Sequence, residues 1–479
     1  MQANVATFSL ITSVIVGTLS AFTAPRLGAM SDRLGRKPIM VISSCGGLLG
    51  EIVTILAANY PDLIHYKWLI ASSFVDGLAG SFTAGSIMSH SYTSDCTPPS
   101  KRAVSIGYMH ACLFTGMAFG PLLAGYFVEW TGSLLSIFYV TLGCHIVFIL
   151  YISFVLPESV SKRRREAAWE KHAKLQEQRV REDTFDEDQG QSRLVTWLKT
   201  VYRAVRESSP FSPLTILAPR GPRLARVRRN LIVLSAVDTI LLSSAMSSGA
   251  VTLLYTEYVF KWGNFETSAY MSLLSMVRVL VLMGIFPVIN YLFRTRAARR
   301  QRRESGVDPV ERNAGADDVD VWLIRTAIVS DVIGVTGYVF ARDPRIFVMC
   351  GVITAFGGLG SATIQSSLTK HVPADRVGEL LGAIGLLHAI GRIFAPILFN
   401  GLYAATVGTF PQATFVLVST AFSIVLVLSF FVRPHGESQI TLPRPTRERI
   451  CLCYASVYDR GRGPFAAAVP SASWPRSHG

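Results

Sequence analysis

The stretch GAMSDRLGRKPIM occupies residues 28–40 and sits between two apolar runs, 5–25 and 39–58, each about the length that spans a bilayer. A connection this short forces its two helices to pack closely at the membrane surface. Gly28 and Gly35 suit that crowding, because glycine lets backbones approach and adopts dihedrals closed to other residues. Asp32 can act at a neighbouring helix N-terminus, where a negative charge is favourable by about 0.3–1 kcal/mol. Arg33, Arg36 and Lys37 fix the orientation and can pair with acids on a moving partner. An ordinary basic turn would not need glycine, acid and bases in this arrangement.

Composition widens the reading. Half of the 479 residues are hydrophobic and only 16% are charged, well below the share in a soluble chain. The net charge of +14 could suggest nucleic acid, but the basic residues cluster between apolar runs rather than along one face. They mark one side of a membrane, and nucleic acid is excluded as a partner. Seven cysteines add little: most lie in apolar runs, and Cys451–Cys453 has no second ligand pair, so no metal is expected.

About eleven runs can span: 5–25, 39–58, 68–89, 104–127, 134–156, 231–256, 268–293, 321–341, 346–367, 378–404 and 413–432. Their connections alternate in charge. One set, including SDRLGRK, TPPSKR, RTRAARRQRR and TKHVPADR, holds nearly all the Lys and Arg and is assigned to the cytoplasm. The sequence thus predicts an all-α polytopic bundle in two halves. Residues 1–156 form the first half, 157–229 a largely flexible cytoplasmic linker with a short surface helix near 162–181, and 230–433 the second half. The polar insert 294–320 and the tail 434–479 are read as solvated and the tail as disordered.

Charges at bilayer depth are expensive, at least about 2.5–3.5 kcal/mol each, and need a reason. Asp76 shares a helical stripe with Gly80 and Thr83; Arg278 lies mid-span; His388 and Arg392 are four apart on one face. Asp238, Asp331 and Glu51 are further acids, and Gln365 a neutral equivalent. Two uses compete: a cavity in which Asp76, Arg278, His388 or Arg392 meet substrate or a proton, and buried ion pairs that fix register, such as Asp331 with an arginine. His110 and His145 read as satisfied core residues. No P-loop, nucleophile–base pattern or cofactor motif occurs, so the chain is expected to be neither an enzyme nor ATP-driven.

GAMSDRLGRK resembles the signature loop between the second and third helices of the major facilitator superfamily. The resemblance implies that Gly28, Asp32, Arg33, Gly35, Arg36 and Lys37 are gate residues whose partner is the start of the span at 375–379. GMAFGPLLAG resembles the glycine-proline pattern of the fifth helix, typical of proton-driven exporters. It supplies Gly116, Gly120, Pro121 and Gly125, a kink with a smooth surface for a sliding helix. LPES, at the end of the first half, is similar to the exit of the sixth helix in many fungal members. The longer stretches around 94–125 and 378–406 are similar to fungal carriers related to tetracycline-resistance exporters and to proton-coupled folate and haem carriers.

Against that pattern the chain starts in the second helix, so a first helix is expected upstream of Met1. Ser73 stands where the family has an arginine, and the second half has no clean copy of the loop. The resemblance implies a monomeric carrier in the plasma or vacuolar membrane, moving a small molecule by alternating access with protons. Export is the first expectation. The alternatives are uptake of a nutrient or cofactor-like anion, and a non-transporting membrane protein.

Overall fold

The structure, a computed structural model, describes residues 2–65, 67–188, 211–219, 221, 224–296 and 315–434. Among these every regular element is helical. The helices are α1 (Gln2–Leu34), α2 (Arg36–Asn59), α3 (Trp68–Leu78), α4 (Ser81–Cys96), α5 (Pro99–Thr131), α6 (Leu135–Leu150) and α7 (Lys162–Asp188). After these come α8 (Ala225–Phe260), α9 (Asn264–Leu280), α10 (Asp318–Phe340), α11 (Pro344–Thr354), α12 (Gly358–Lys370), α13 (Val377–Thr406) and α14 (Ala413–Ser429). Helix α6 continues through Tyr151–Val155, and α9 continues as an irregular helix to Tyr291–Thr295.

Among the described residues, eight helical segments are long and apolar enough to cross a membrane, and α14 is a shorter apolar helix. The remaining rods are α1 and the broken pair α3–α4, so eleven rods answer the eleven apolar runs. The protein is a polytopic membrane bundle. Its helices overrun the runs, because polar residues that complete the ends of a helix fall outside a hydropathy window.

The opening motif is helix, not loop. Residues through Leu34 stay in α1, and α2 starts at Arg36, leaving Gly35 as the sole break. Gly35 has φ 106°, and a side chain there would run into the Glu158 carboxylate, so only glycine fits. Gly80 plays the same part between α3 and α4, with φ 86°. That break corrects the stripe expected from Asp76, Gly80 and Thr83: the two ends lie on different helices, and α4 restarts the phase.

The order of rods repeats. A broken rod, α3–α4, precedes proline-bearing α5, with Pro121 inside; a broken rod, α11–α12, precedes proline-bearing α13, with Pro396 inside. The rod before each, α2 or α10, pairs with α1 or α9. The two sets meet across four contacts: α1 with α13, α5 with α9, α4 with α13, and α5 with α12.

Two stretches of the linker are described. Helix α7 is longer than the surface helix read from 162–181, and Ser212–Leu217 forms a turn whose Ile216 and Leu217 join the core with α13. Residues 189–210 of the linker, 297–314 of the polar insert, and the tail from 435 lie outside the described residues.

Candidate functional site

At the basic end of the bundle the first junction is a buried ion network. Arg36, fully buried, sits 2.6 Å from Asp32 of α1 and 2.9 Å from Asp95 of α4. It also donates to the Ser31 hydroxyl. The acids that hold Arg36 belong to its own set of helices, which corrects the expectation that it pairs with acids on a moving partner. Asp32 does reach across. It accepts from the backbone N–H of Gly378 (3.1 Å) and Glu379 (3.0 Å) in the first turn of α13, where unpaired N–H groups and the helix dipole favour an anion. Burial pushes the Asp32 carboxyl upward from its ordinary value, against the lowering pull of Arg36 and of those two N–H groups.

Gly28 makes that approach possible. A Cβ there would stand 2.5 Å from the Gly378 carbonyl oxygen and 3.0 Å from Gly382 Cα, so α1 and α13 touch backbone to backbone. Arg33 and Lys37 lie half-buried at the same end. Glu158, from the LPES stretch, accepts from the N–H of Arg36 (2.9 Å) and Lys37 (3.2 Å) and so caps α2. Arg164, at the start of α7, pairs with Asp95 at 3.0 Å and donates to the Ala374 carbonyl just before α13.

The second junction, between α9 and α10, was not legible as a copy because its signs are reversed. Arg294 ends the α9 rod, Asp320 begins α10 and Lys370 ends α12. Asp320 is fully buried, pairs with Arg294, and lies 2.6 Å from Lys370; Asp317 adds a second carboxylate 2.6 Å from Arg294. The first junction thus runs acid, base, acid, and the second base, acid, base. Arg294 also crosses between the sets, donating to the Ser100 carbonyl in the first turn of α5 (3.3 Å). Arg102 of α5 adds a crossing bond to Thr369 (3.1 Å). The missed signal was positional: charge at each of three helix ends, read by place rather than by sign.

Farther from the basic end, two arginines of the second set lie over aromatic rings of the first. Arg278 on α9 is 4.9 Å from the Phe114 ring centroid on α5, and Arg392 on α13 is 5.9 Å from that of Phe82. Arg392 also donates to Thr83. Arg278 lies within electrostatic reach of Asp331 on α10. His388 donates to Asp238 of α8 at 2.9 Å. Asp76 is apart from these, flanking Gly47 opposite His145, whose Nδ1 is 2.9 Å from Glu51. The sequence-selected cavity residues therefore divide: Arg278 and Arg392 reach the first set, His388 pairs with Asp238 within the second, and Asp76 joins a separate cluster within the first. His110 and His145, read as satisfied core residues, both have titratable partners.

Among the described residues, polar contacts between the sets reach from the basic end as far as Arg392–Thr83 and a Ser272–Ala118 hydrogen bond. Beyond Ile393, whose side chain packs on Gly17, α13 carries exposed Phe394, Ile397 and Leu398. The α5 glycines Gly116, Gly120 and Gly125 have nothing within 4 Å of a would-be side chain, so no helix slides on them here.

Two pseudo-repeated sets of membrane helices, joined at one face by paired charge networks, define a polytopic carrier-type bundle. The Major Facilitator Superfamily profile matches residues 1–303, and the chain belongs to that family of transporters. It is 30% identical to the MFS-type transporter avaJ of Aspergillus versicolor over 458 residues, covering 95% of this chain and 82% of that one. The class C tetracycline resistance protein of Escherichia coli is 23% identical, covering 84% and 82%. The rat (Rattus norvegicus) proton-coupled folate transporter is 20% identical, covering 87% and 77%. The crystal structure of the human organic anion transporter MFSD10 superposes with a TM-score of 0.61 at 18% identity, covering 88% and 83%, a likeness of fold.

Proposed function

We propose that the protein is a proton-coupled exporter of small organic molecules, working by alternating access as a monomer. The observation that carries this reading is closure at the basic face, where Asp32 and Arg294 both cross between the sets. The basic face is the cytoplasmic one on the distribution of Lys and Arg, so this is a state closed to the cytoplasm. The gate consists of Gly28, Asp32, Arg33, Gly35, Arg36 and Lys37 on one side and Arg294, Asp320 and Lys370 on the other. Opening requires Asp32 to leave the start of α13 and Arg294 to leave the start of α5.

The direction is supported by the glycine-proline pattern of α5, ending in Pro121 and Gly125, and by the tetracycline-resistance relative. A second reading, uptake of an organic anion, is favoured by one observation. Arg278 and Arg392 both face the space between the sets beside aromatic rings, an arrangement that suits a flat, negatively charged molecule.

The test uses purified protein in liposomes with an imposed pH gradient and a panel of fluorescent organic anions and cations. Solute moving against the proton flux supports export. Solute moving with it supports uptake. No gradient-dependent movement of any probe overturns proton-coupled carriage.

A further inference from the structure

One hydrogen-bonded cluster at the basic face belongs entirely to the second set and takes no part in either charge junction. His371 follows the last residue of α12, and its ring is buried. Its Nδ1 lies 2.7 Å from the Ser367 carbonyl one turn earlier, and its Nε2 lies 3.2 Å from the side-chain nitrogen of Asn230 on α8. Asn230 is also buried, and it reaches a third segment, four residues past the end of α14. There its nitrogen donates to the Arg433 carbonyl (2.8 Å), and its oxygen accepts from the Arg433 N–H (3.2 Å).

Each donor and acceptor in the cluster has one assignment. The Ser367 carbonyl can only accept, so Nδ1 carries the hydrogen and Nε2 of the neutral ring is a bare acceptor. Arg433 presents its N–H and its carbonyl together, which fixes the Asn230 amide, oxygen to the one and nitrogen to the other. The second hydrogen on that nitrogen goes to Nε2. A proton on Nε2 would set N–H against N–H, and turning the amide over would satisfy the ring only by breaking both bonds to Arg433. The arrangement therefore holds a neutral His371. Burial acts in the same sense, pushing the ring below its ordinary value against the upward pull of the Ser367 carbonyl and Asp320.

The charges around the ring come from several elements. Asp320 of α10 favours a proton there and Lys370 opposes it, and these two are paired with each other. Arg294 and Asp317 complete that junction. Arg102 of α5 is bonded to Thr369, and Arg325 of α10 to the carbonyls of Ser429 and Val432. Arg229 precedes Asn230 on α8, and Asp375 and Arg376 follow His371 in the connection to α13. That connection is tied to both junctions: Lys370 at its start pairs with Asp320, and Gly378 and Glu379 at its end bond to Asp32.

We propose that His371 and Asn230 form a proton-released clasp, which holds the chain after α14 to α8 and α12 while the ring is neutral and frees it when a proton reaches the ring from the basic face. This goes beyond the carrier reading and requires neither a substrate nor proton-coupled transport. The released ring takes a proton at its ordinary value of about 6.5. Closure is therefore at full strength above that pH, weakens below it, and is lost as the pH falls through the lowered value of the held ring.

NMR of the full chain in lipid nanodiscs tests this. Ring-15N histidine reports the state of His371, and 13C-carbonyl valine with 15N-arginine restricts the amide signals to Val–Arg pairs, including Val432–Arg433. His371→Gln and Arg433→Lys assign the two signals. The expected result is that the Arg433 amide shifts as His371 takes its proton, with one midpoint for both, below that of the exposed His65. In His371→Gln, which cannot take the proton, the Arg433 amide should stay still between about pH 5 and 8. Asn230→Asp replaces the donor with an acceptor and should raise the His371 midpoint by about one unit or more. An Arg433 amide that stays still while His371 titrates overturns the proposal, as does one that moves with pH in His371→Gln. A His371 that takes no proton over that range overturns it as well. Should Asn230→Asp not fold, the other two comparisons decide.

Discussion

The two charged junctions at the basic face use one plan with opposite signs. Arg36 stands between Asp32 and Asp95; Asp320 stands between Arg294 and Lys370. The backbone partner is inverted as well: Asp32 takes N–H groups at the start of α13, and Arg294 gives to a carbonyl at the start of α5. In both, each charge keeps its counter-charge within its own half, and the bonds that cross go to backbone groups or, from Arg102, to the Thr369 hydroxyl. That division has a physical consequence. Removing one partner from a buried ion pair is destabilising by about 3–5 kcal/mol, so ion pairs spanning the halves would make opening prohibitive. A crossing bond to backbone is worth about 1.5–3 kcal/mol when charged, and water can replace it as the gate opens.

The comparison breaks first at the central residues. Arg36→Ala takes the ion-pair partner from Asp32 and leaves Asp95 with Arg164, and Asp320→Ala takes it from Lys370 and leaves Arg294 with Asp317, so each should lose about 3–5 kcal/mol of stability. Thermal unfolding of the detergent-solubilised variants measures this. Equal losses support equivalence; tolerance at one junction alone denies it.

Gly28→Ala is next. Its Cβ meets backbone of α13, and overpacking of this kind is worth about 1–3 kcal/mol. Because the clash is between halves, the expected result is a shift toward a state open at the basic face, read as longer α1–α13 distances in spin-label spectroscopy. Unchanged distances would mean that the contact does not hold the gate.

Asp32→Asn keeps the shape and removes the charge at the start of α13, an interaction of about 0.3–2 kcal/mol. It should shift the same distances less than Gly28→Ala does. A larger shift would show that the dipole contact, not close packing, dominates closure. Gly116→Ala is the smallest, within about 0.5 kcal/mol, since nothing stands near its would-be Cβ. A clear loss in thermal stability or in gate distances would reveal a partner for that face of α5.

How much of this could be read from the chain depends on the range of the interactions. Part of the first junction was legible because Asp32, Gly35 and Arg36 lie within five residues of chain and glycine spacing is a local constraint, whereas Asp95 lies on another helix. The break at Gly80 was not, since a single glycine in an apolar helix is usually tolerated. The second junction was hidden because Arg294 and Asp320 are separated by a hydrophilic insert and Lys370 lies on a third helix. Reversed signs also removed the motif by which a copy would be recognised.

Hydropathy and charge by themselves determined that this is a helical membrane protein and which face is basic, because burial in lipid and charge bias act on each segment independently. Family membership was likewise legible in short motifs. Only the tertiary structure decided that the junctions are opposites, that Asp76 stands apart from Arg278 and Arg392, and that His90 meets His110 while His388 meets Asp238. Those pairings link residues far apart in the chain, and no local pattern selects a buried charge's partner.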